Sequence, residues 1–150
     1  MFENTQKIHG SARHLARVAA VQAVYQMEQN PEDRQDVVNQ FLHSRFDTDV
    51  KGTTKPDLDF FKEISLFLAK DLHAFDQQIM KQLSQQWTIE RLPSLSRSIL
   101  RCALYELIYS LTVPTPVIIN EYLEVAKSFL EKKDVAFIHG TIDALSKKTR

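Results

Sequence analysis

The side chains able to do chemistry are few in this 150-residue chain, and they are dispersed. His9, His14, His43, His73 and His139 show no pair at the spacing of a zinc-binding helix and no accompanying cysteine pair, so no metal site is expected. The one cysteine, Cys102, sits between Arg101 and Ala103 in an amphipathic stretch, where a small buried apolar residue fits better than a nucleophile. A lone cysteine also excludes an internal disulfide framework and fits a reducing compartment. Gly10, Gly52 and Gly140 stand alone, so no loop can cradle the phosphates of a nucleotide cofactor. Asp57 and Asp59 read as charges at a helix start. No catalytic residue, metal or cofactor is expected, and the chain does not read as an enzyme.

Charge is more informative. Lys7, Arg13 and Arg17 lie between Glu3 and Glu28 with no acid among them, and His9 and His14 add optional charge. Arg13 and Arg17, four residues apart, project from one side of a helix near its N-terminal end, where backbone amides and the helix dipole also favour phosphate. This makes a local anion site, although a solvated helix end with ordinary basic residues fits the same pattern. A second group, Arg91, Arg97 and Arg101, has no acid between Glu90 and Glu106. Arg101 borders an apolar stripe and reads as a structural arginine bonded to carbonyls or a carboxylate, while Arg97 fits either role. With a formal net charge of zero, any nucleic-acid contact must use a local patch.

The elements that must position these residues are all helical, because apolar residues recur at three and four positions nearly throughout. At 43% hydrophobic residues, the chain fits one compact all-α domain over 1–150, with a flexible start at 1–10. No apolar run in Met1–Gly10 suits a signal peptide, and none elsewhere spans a membrane, so a cytoplasmic protein is expected. Ser11 caps a first helix to about Asn30, and Pro31 opens a second to about Phe46. Residues 47–56 form the longest loop. Phe61, Ile64, Leu68, Leu72 and Phe75 mark a third helix, and Ile79, Met80, Leu83 and Trp87 a fourth, with a poorly defined join near His73. Leu95–Leu111 is the cleanest amphipathic helix, with Leu100, Ala103, Leu104, Leu107, Ile108 and Leu111 on one stripe. Pro114 and Pro116 lead into a sixth helix, and Asp134 caps a seventh built on Val135, Ile138, Ile142 and Leu145. Phe137 lies off that buried stripe, beside Thr141, Ala144 and Lys148; it is either covered by another helix or an anchor for a protein partner.

These residues resemble a known family. Arg13-His14-Leu15-Ala16-Arg17 followed by Gln22-Ala23-Val24-Tyr25 is similar to the opening helix of the NusB family. Ile99-Leu100-Arg101-Cys102-Ala103-Leu104-Tyr105-Glu106-Leu107 resembles its Ile-Leu-Arg-x-Ala-x-Tyr-Glu-Leu run. Trp87, Glu90-Arg91-Leu92, Val113-Pro114, Ile119-Asn120-Glu121, Ala126-Lys127 and Phe137-Ile138-His139-Gly140 with Ile142-Asp143 follow in the family's order. The resemblance implies a bundle of about seven helices that binds boxA-type single-stranded RNA together with NusE, a small-subunit ribosomal protein. It implies a place in the RNA polymerase antitermination complex that transcribes ribosomal RNA operons, and it admits a homodimer. Carried over, Lys7, Arg13, His14 and Arg17 would face RNA, Phe137 would meet NusE, and Tyr25 and Arg101 would support. The chain departs from the family where His14 and Leu15 replace residues often basic, implying weaker or more pH-dependent RNA binding, and where His139 replaces an asparagine. Two other readings fit part of the pattern: the RNA-binding module of a ribosomal RNA methyltransferase, which would need a glycine-containing cofactor loop absent here, and a purely protein-binding helical adaptor.

Overall fold

A computed structural model of the chain describes residues 11–31, 33–45, 54–83 and 88–150. Among them are seven α-helices, one 3-10 turn at Ile89–Arg91 and no strand. Lys7, His9, Gly10, Gly52 and Trp87 lie outside the described residues, as do the expected flexible start and most of the expected loop at 47–56.

Helix α1 (Ala12–Gln29) begins where the sequence places it, with the Ser11 hydroxyl accepting the His14 amide at 3.1 Å. Four alanines, Ala16, Ala19, Ala20 and Ala23, lie among its buried residues with Val18, Val21, Val24 and Met27. Small side chains on several faces let α3 and α5 pack closely around it. Helix α2 (Arg34–Arg45) starts later than expected from Pro31. The Asn30 carbonyl accepts the Asp33 amide in a turn, and the Asp33 carbonyl then accepts Val37, so the helical ladder starts after the turn closes.

Helix α3 (Leu58–Lys70) is capped by Asp57, which accepts the Phe60 amide at 3.0 Å, with Asp59 in the first turn. The uncertain join near His73 is a break at Asp71, whose carboxylate accepts the Ala74 amide and starts α4 (Leu72–Met80). Leu72 and Phe75 therefore belong to α4, and α4 stops at Met80, short of Leu83.

Helix α5 (Ser94–Tyr109) is the centre of the core and touches α1, α3, α4, α6 and α7. Leu100, Ala103, Leu104 and Leu107 are buried as expected, but Leu111 is 74% exposed. The apolar stripe outruns the helix, which ends at Tyr109. Its last carbonyls are held by Arg150 instead: the guanidinium donates to the carbonyls of Glu106, Leu107, Ser110 and Val113. This fastens the end of α7 over the end of α5 and the turn after it, where the Glu106 and Ser110 carbonyls accept the guanidinium besides the backbone amides of Ser110 and Val113.

Helix α6 (Thr115–Phe129) follows Pro114 and carries Pro116 in its first turn, where a missing amide costs nothing. Ile118, Tyr122, Val125 and Ala126 point inward. Helix α7 (Lys132–Thr149) starts before Asp134, so that residue is a first-turn acid, not the cap. Ile138, Ile142 and Leu145 are buried as expected, and Val135 is half-buried.

Candidate nucleic-acid and partner interface

At the N-terminal end of α1 the two arginines sit on one side of the helix, as their spacing requires, and both lie over the Phe60 ring, Arg13 at 4.4 Å and Arg17 at 4.9 Å. Their environments differ sharply. Arg13 keeps 52% of its side chain exposed, and its nearest carboxylate, Asp57, is 3.9 Å away. So exposed and distant a pair contributes little to folding, and the guanidinium can exchange it for phosphate.

Arg17 is 3% exposed, which corrects the expectation of a second exposed arginine. Its Nε and Nη2 donate to the two Glu106 oxygens at 2.7 and 3.0 Å, and Nη1 lies 3.5 Å from Glu121. Glu106, fully buried on α5, also accepts the Tyr122 hydroxyl. Burial alone would lower the Arg17 pKa, but the hydrogen bonds and charge of Glu106 outweigh it and the pKa is raised. Burial and then Glu106 hold the Tyr122 hydroxyl protonated, as the donor this cluster needs. Arg17 thus joins α1 to α5 and α6. His14 is half-buried beside it, with Nδ1 2.6 Å from Glu121.

Sequence reasoning missed the carboxylates that occupy these basic side chains, because Glu106 and Glu121 are far away along the chain. It also missed Phe60 as the platform beneath both guanidiniums. The Asp57 amide bonds to the Ala12 carbonyl at 2.9 Å, which brings exposed Lys55, two residues earlier, toward the same helix end.

Arg101 is structural, as expected. It is buried, donates to both oxygens of Asp76 on α4 at 2.6 and 2.8 Å, and also bonds Glu28 on α1. Arg97 serves the same cluster, bonding Glu28 at 2.9 and 2.6 Å and the carbonyls of Ile89, Glu90 and Leu92. Burial works to raise the Glu28 pKa, but the bonds from Arg97 and Ser94 and the charge of Arg101 override it and lower it from 4.5 to about 2. A folded-state pKa below the unfolded one gives stability that is present above about pH 4.5 and lost as pH falls toward 2. That loss is on the order of 3 kcal/mol. In urea titrations across this range, Glu28→Gln should flatten the acid limb of stability; an unchanged limb would contradict the assignment.

Tyr25 is half-buried against the core. Cys102 is fully buried, which pushes its thiol pKa up and keeps it protonated. His43, His73 and His139 are exposed, and among the described residues no three metal-ligating side chains converge.

On α7, Phe137 is half-buried and packs on the core with one side. With Gly140, Thr141 and Ala144 it lines a shallow groove closed by Gln82 and Leu83 beyond α4. Gly140 is exposed, and a Cβ built there meets no atom within 4 Å. Nothing among its described surroundings requires glycine, which costs a helix interior about 1 kcal/mol relative to alanine.

Comparison with known proteins places this geometry. The model of the NusB family matches residues 14–147. The transcription antitermination protein NusB of Caulobacter vibrioides is 41% identical over 140 residues, covering 92% of this chain and 94% of that protein. That of Bartonella tribocorum is 36% identical, covering 92% and 90%. Among solved structures, NusB of T. maritima superposes with a TM-score of 0.77 at 24% identity over 94% of both chains. A chain from a complex of antitermination factors NusB and NusE with double-stranded RNA superposes at 0.74, with 19% identity, over 89% of this chain and 94% of that one. A family match over residues 14–147, carried by relatives named as transcription antitermination proteins, has one meaning: the chain belongs to the NusB family.

Proposed function

We propose that this chain is a bacterial transcription antitermination factor that binds boxA-type RNA together with NusE and so promotes transcription of ribosomal RNA operons. The observation that carries the reading is the family match across 14–147, with relatives named as antitermination proteins over 90% or more of their own length. No described helix is long and apolar enough to cross a membrane, which agrees with work beside RNA polymerase in the cytoplasm.

The roles divide along lines of burial. Arg13 is the phosphate ligand, held over Phe60 with its donors largely uncommitted. Arg17 and His14 act behind it: tied to Glu106 and Glu121, they fix the N-terminal turn of α1 against α5 and α6. The Phe137 groove is the NusE surface. Its half-exposed ring offers an anchor, and the bare Gly140 backbone beside it lets a partner approach closely. The adaptor reading shares this groove but gives Arg13 no task.

Arg13→Ala tests the division. It should weaken binding of single-stranded boxA RNA and flatten the plot of log affinity against log salt by about 0.7, the share of one phosphate contact, with no change in melting temperature. Unchanged affinity and slope would remove RNA binding from this end of α1.

A further inference from the structure

A row of aromatic rings and cations runs along α3 and α5, from Arg13 at one end toward Lys70 at the other. On α3, Phe60, Glu63, Phe67 and Lys70 recur at three- and four-residue steps and share a face. Arg13 lies over Phe60 at one end, and the Lys70 ammonium lies 5.9 Å from the Phe67 ring centre at the other. Against Phe67, α5 sets Tyr105 and Tyr109, with ring centres 5.2 and 4.6 Å away, and the two tyrosine rings are 5.2 Å apart. Tyr105 is buried, but Tyr109 is 48% exposed although rings hold it on two sides.

A ring that only fills a core is enclosed, whereas Tyr109 is braced from behind and keeps surface for a ligand. A braced ring loses little conformational freedom on binding, so flat apolar ligands meet a preformed surface. The cations mark the ligand as an anion carrying such flat groups. Phe60 to Lys70 spans about 15 Å of helix, a length that several nucleotides can follow. Glu63, about one turn beyond Phe60 and hydrogen-bonded by the Tyr105 hydroxyl at 3.4 Å, disfavours a phosphate there and leaves that stretch to bases.

We propose that Tyr109, backed by Phe67 and Tyr105, is a stacking surface for an unpaired RNA base, on a strand whose phosphates are held toward Arg13 and Lys70. The proposal rests on the RNA-binding reading above and adds to it the place where a base is met. Base stacking on aromatic rings tolerates sequence and depends on the ring's π-face, not on its hydroxyl.

The test is a titration of the full chain with single-stranded boxA RNA carrying 2-aminopurine at successive positions. With wild-type protein, fluorescence should be quenched at one or two positions. Tyr109→Leu should abolish that quenching and weaken binding at least fivefold with the salt slope unchanged, and Tyr109→Phe should restore both. Tyr109→Leu binding and quenching like wild type, while Arg13→Ala weakens binding, would overturn the stacking site alone. Indifference of RNA binding to Arg13→Ala as well would remove RNA from this end of α1 and the stacking site with it, and no RNA binding by the wild-type chain would overturn the RNA reading itself. Equal loss of binding in the leucine and phenylalanine variants would also overturn stacking, since the ring would then not be what matters.

Discussion

Arg17→Ala should cost the fold about 3 to 5 kcal/mol, because it strands a fully buried carboxylate at Glu106 with, among the described residues, only the Tyr122 hydroxyl to bind it. The variant should unfold at clearly lower urea with an unchanged slope. Removing both charges in Arg17→Met with Glu106→Leu should recover much of the loss, since a buried ion pair is expensive mainly when halved. A loss under 1 kcal/mol in the single variant would show that Arg17 reaches solvent and that its pairing with Glu106 does not hold. The expectation inverts the simplest view of an arginine pair near a helix start, in which both members serve RNA equally. In the proposed division one contacts and one braces.

The second large effect concerns the partner surface. Phe137→Asp should weaken NusE binding at least tenfold, about 1.4 kcal/mol, by placing an unpaired charge where an anchor docks. Because the inner side of the ring packs on the core, the melting temperature should also fall somewhat. Gly140→Glu separates the two effects. A side chain there meets no atom within 4 Å at its Cβ, so the fold should be unharmed or slightly firmer, while the groove is obstructed. Calorimetry on both variants should show lost NusE affinity. Full affinity in Gly140→Glu would move the interface elsewhere.

How far the sequence reaches is set by whether a feature is local. The Ser11 cap and the start of α1, the helix-start charges at Asp57 and Asp59, and the buried faces of α5 and α7 all follow from short-range spacing, and the structure has them. Periodicity misleads where an apolar residue continues a stripe after the helix has ended. Leu111 is exposed because the carbonyls at the end of α5 find Arg150, a residue some forty positions later, and not another helical turn. Apolar spacing hides the break at Asp71 for a related reason: Leu72 and Phe75 extend the stripe of α3, while a single capping carboxylate restarts the helix.

The candidate site was legible in residue type and only partly in role. Four-residue spacing correctly puts Arg13 and Arg17 on one side of α1, but nothing near them in sequence tells that Glu106 and Glu121 are within reach of Arg17 and His14. Burial of a cation is decided by distant partners. Arg101 was easier, because its place at the edge of the α5 stripe already implied a packed stem and a bonded head. Phe137 fell between its two expected roles, half in the core and half in a groove.

The central claim, that this chain recognises RNA jointly with a ribosomal-protein partner, is tested most directly by titrating labelled single-stranded boxA RNA with the purified chain, with and without its cognate NusE. The account predicts that the chain binds alone, more weakly at high salt, and that NusE tightens binding at least tenfold. Affinity for RNA that is the same with and without NusE, or no binding in either case, would contradict it.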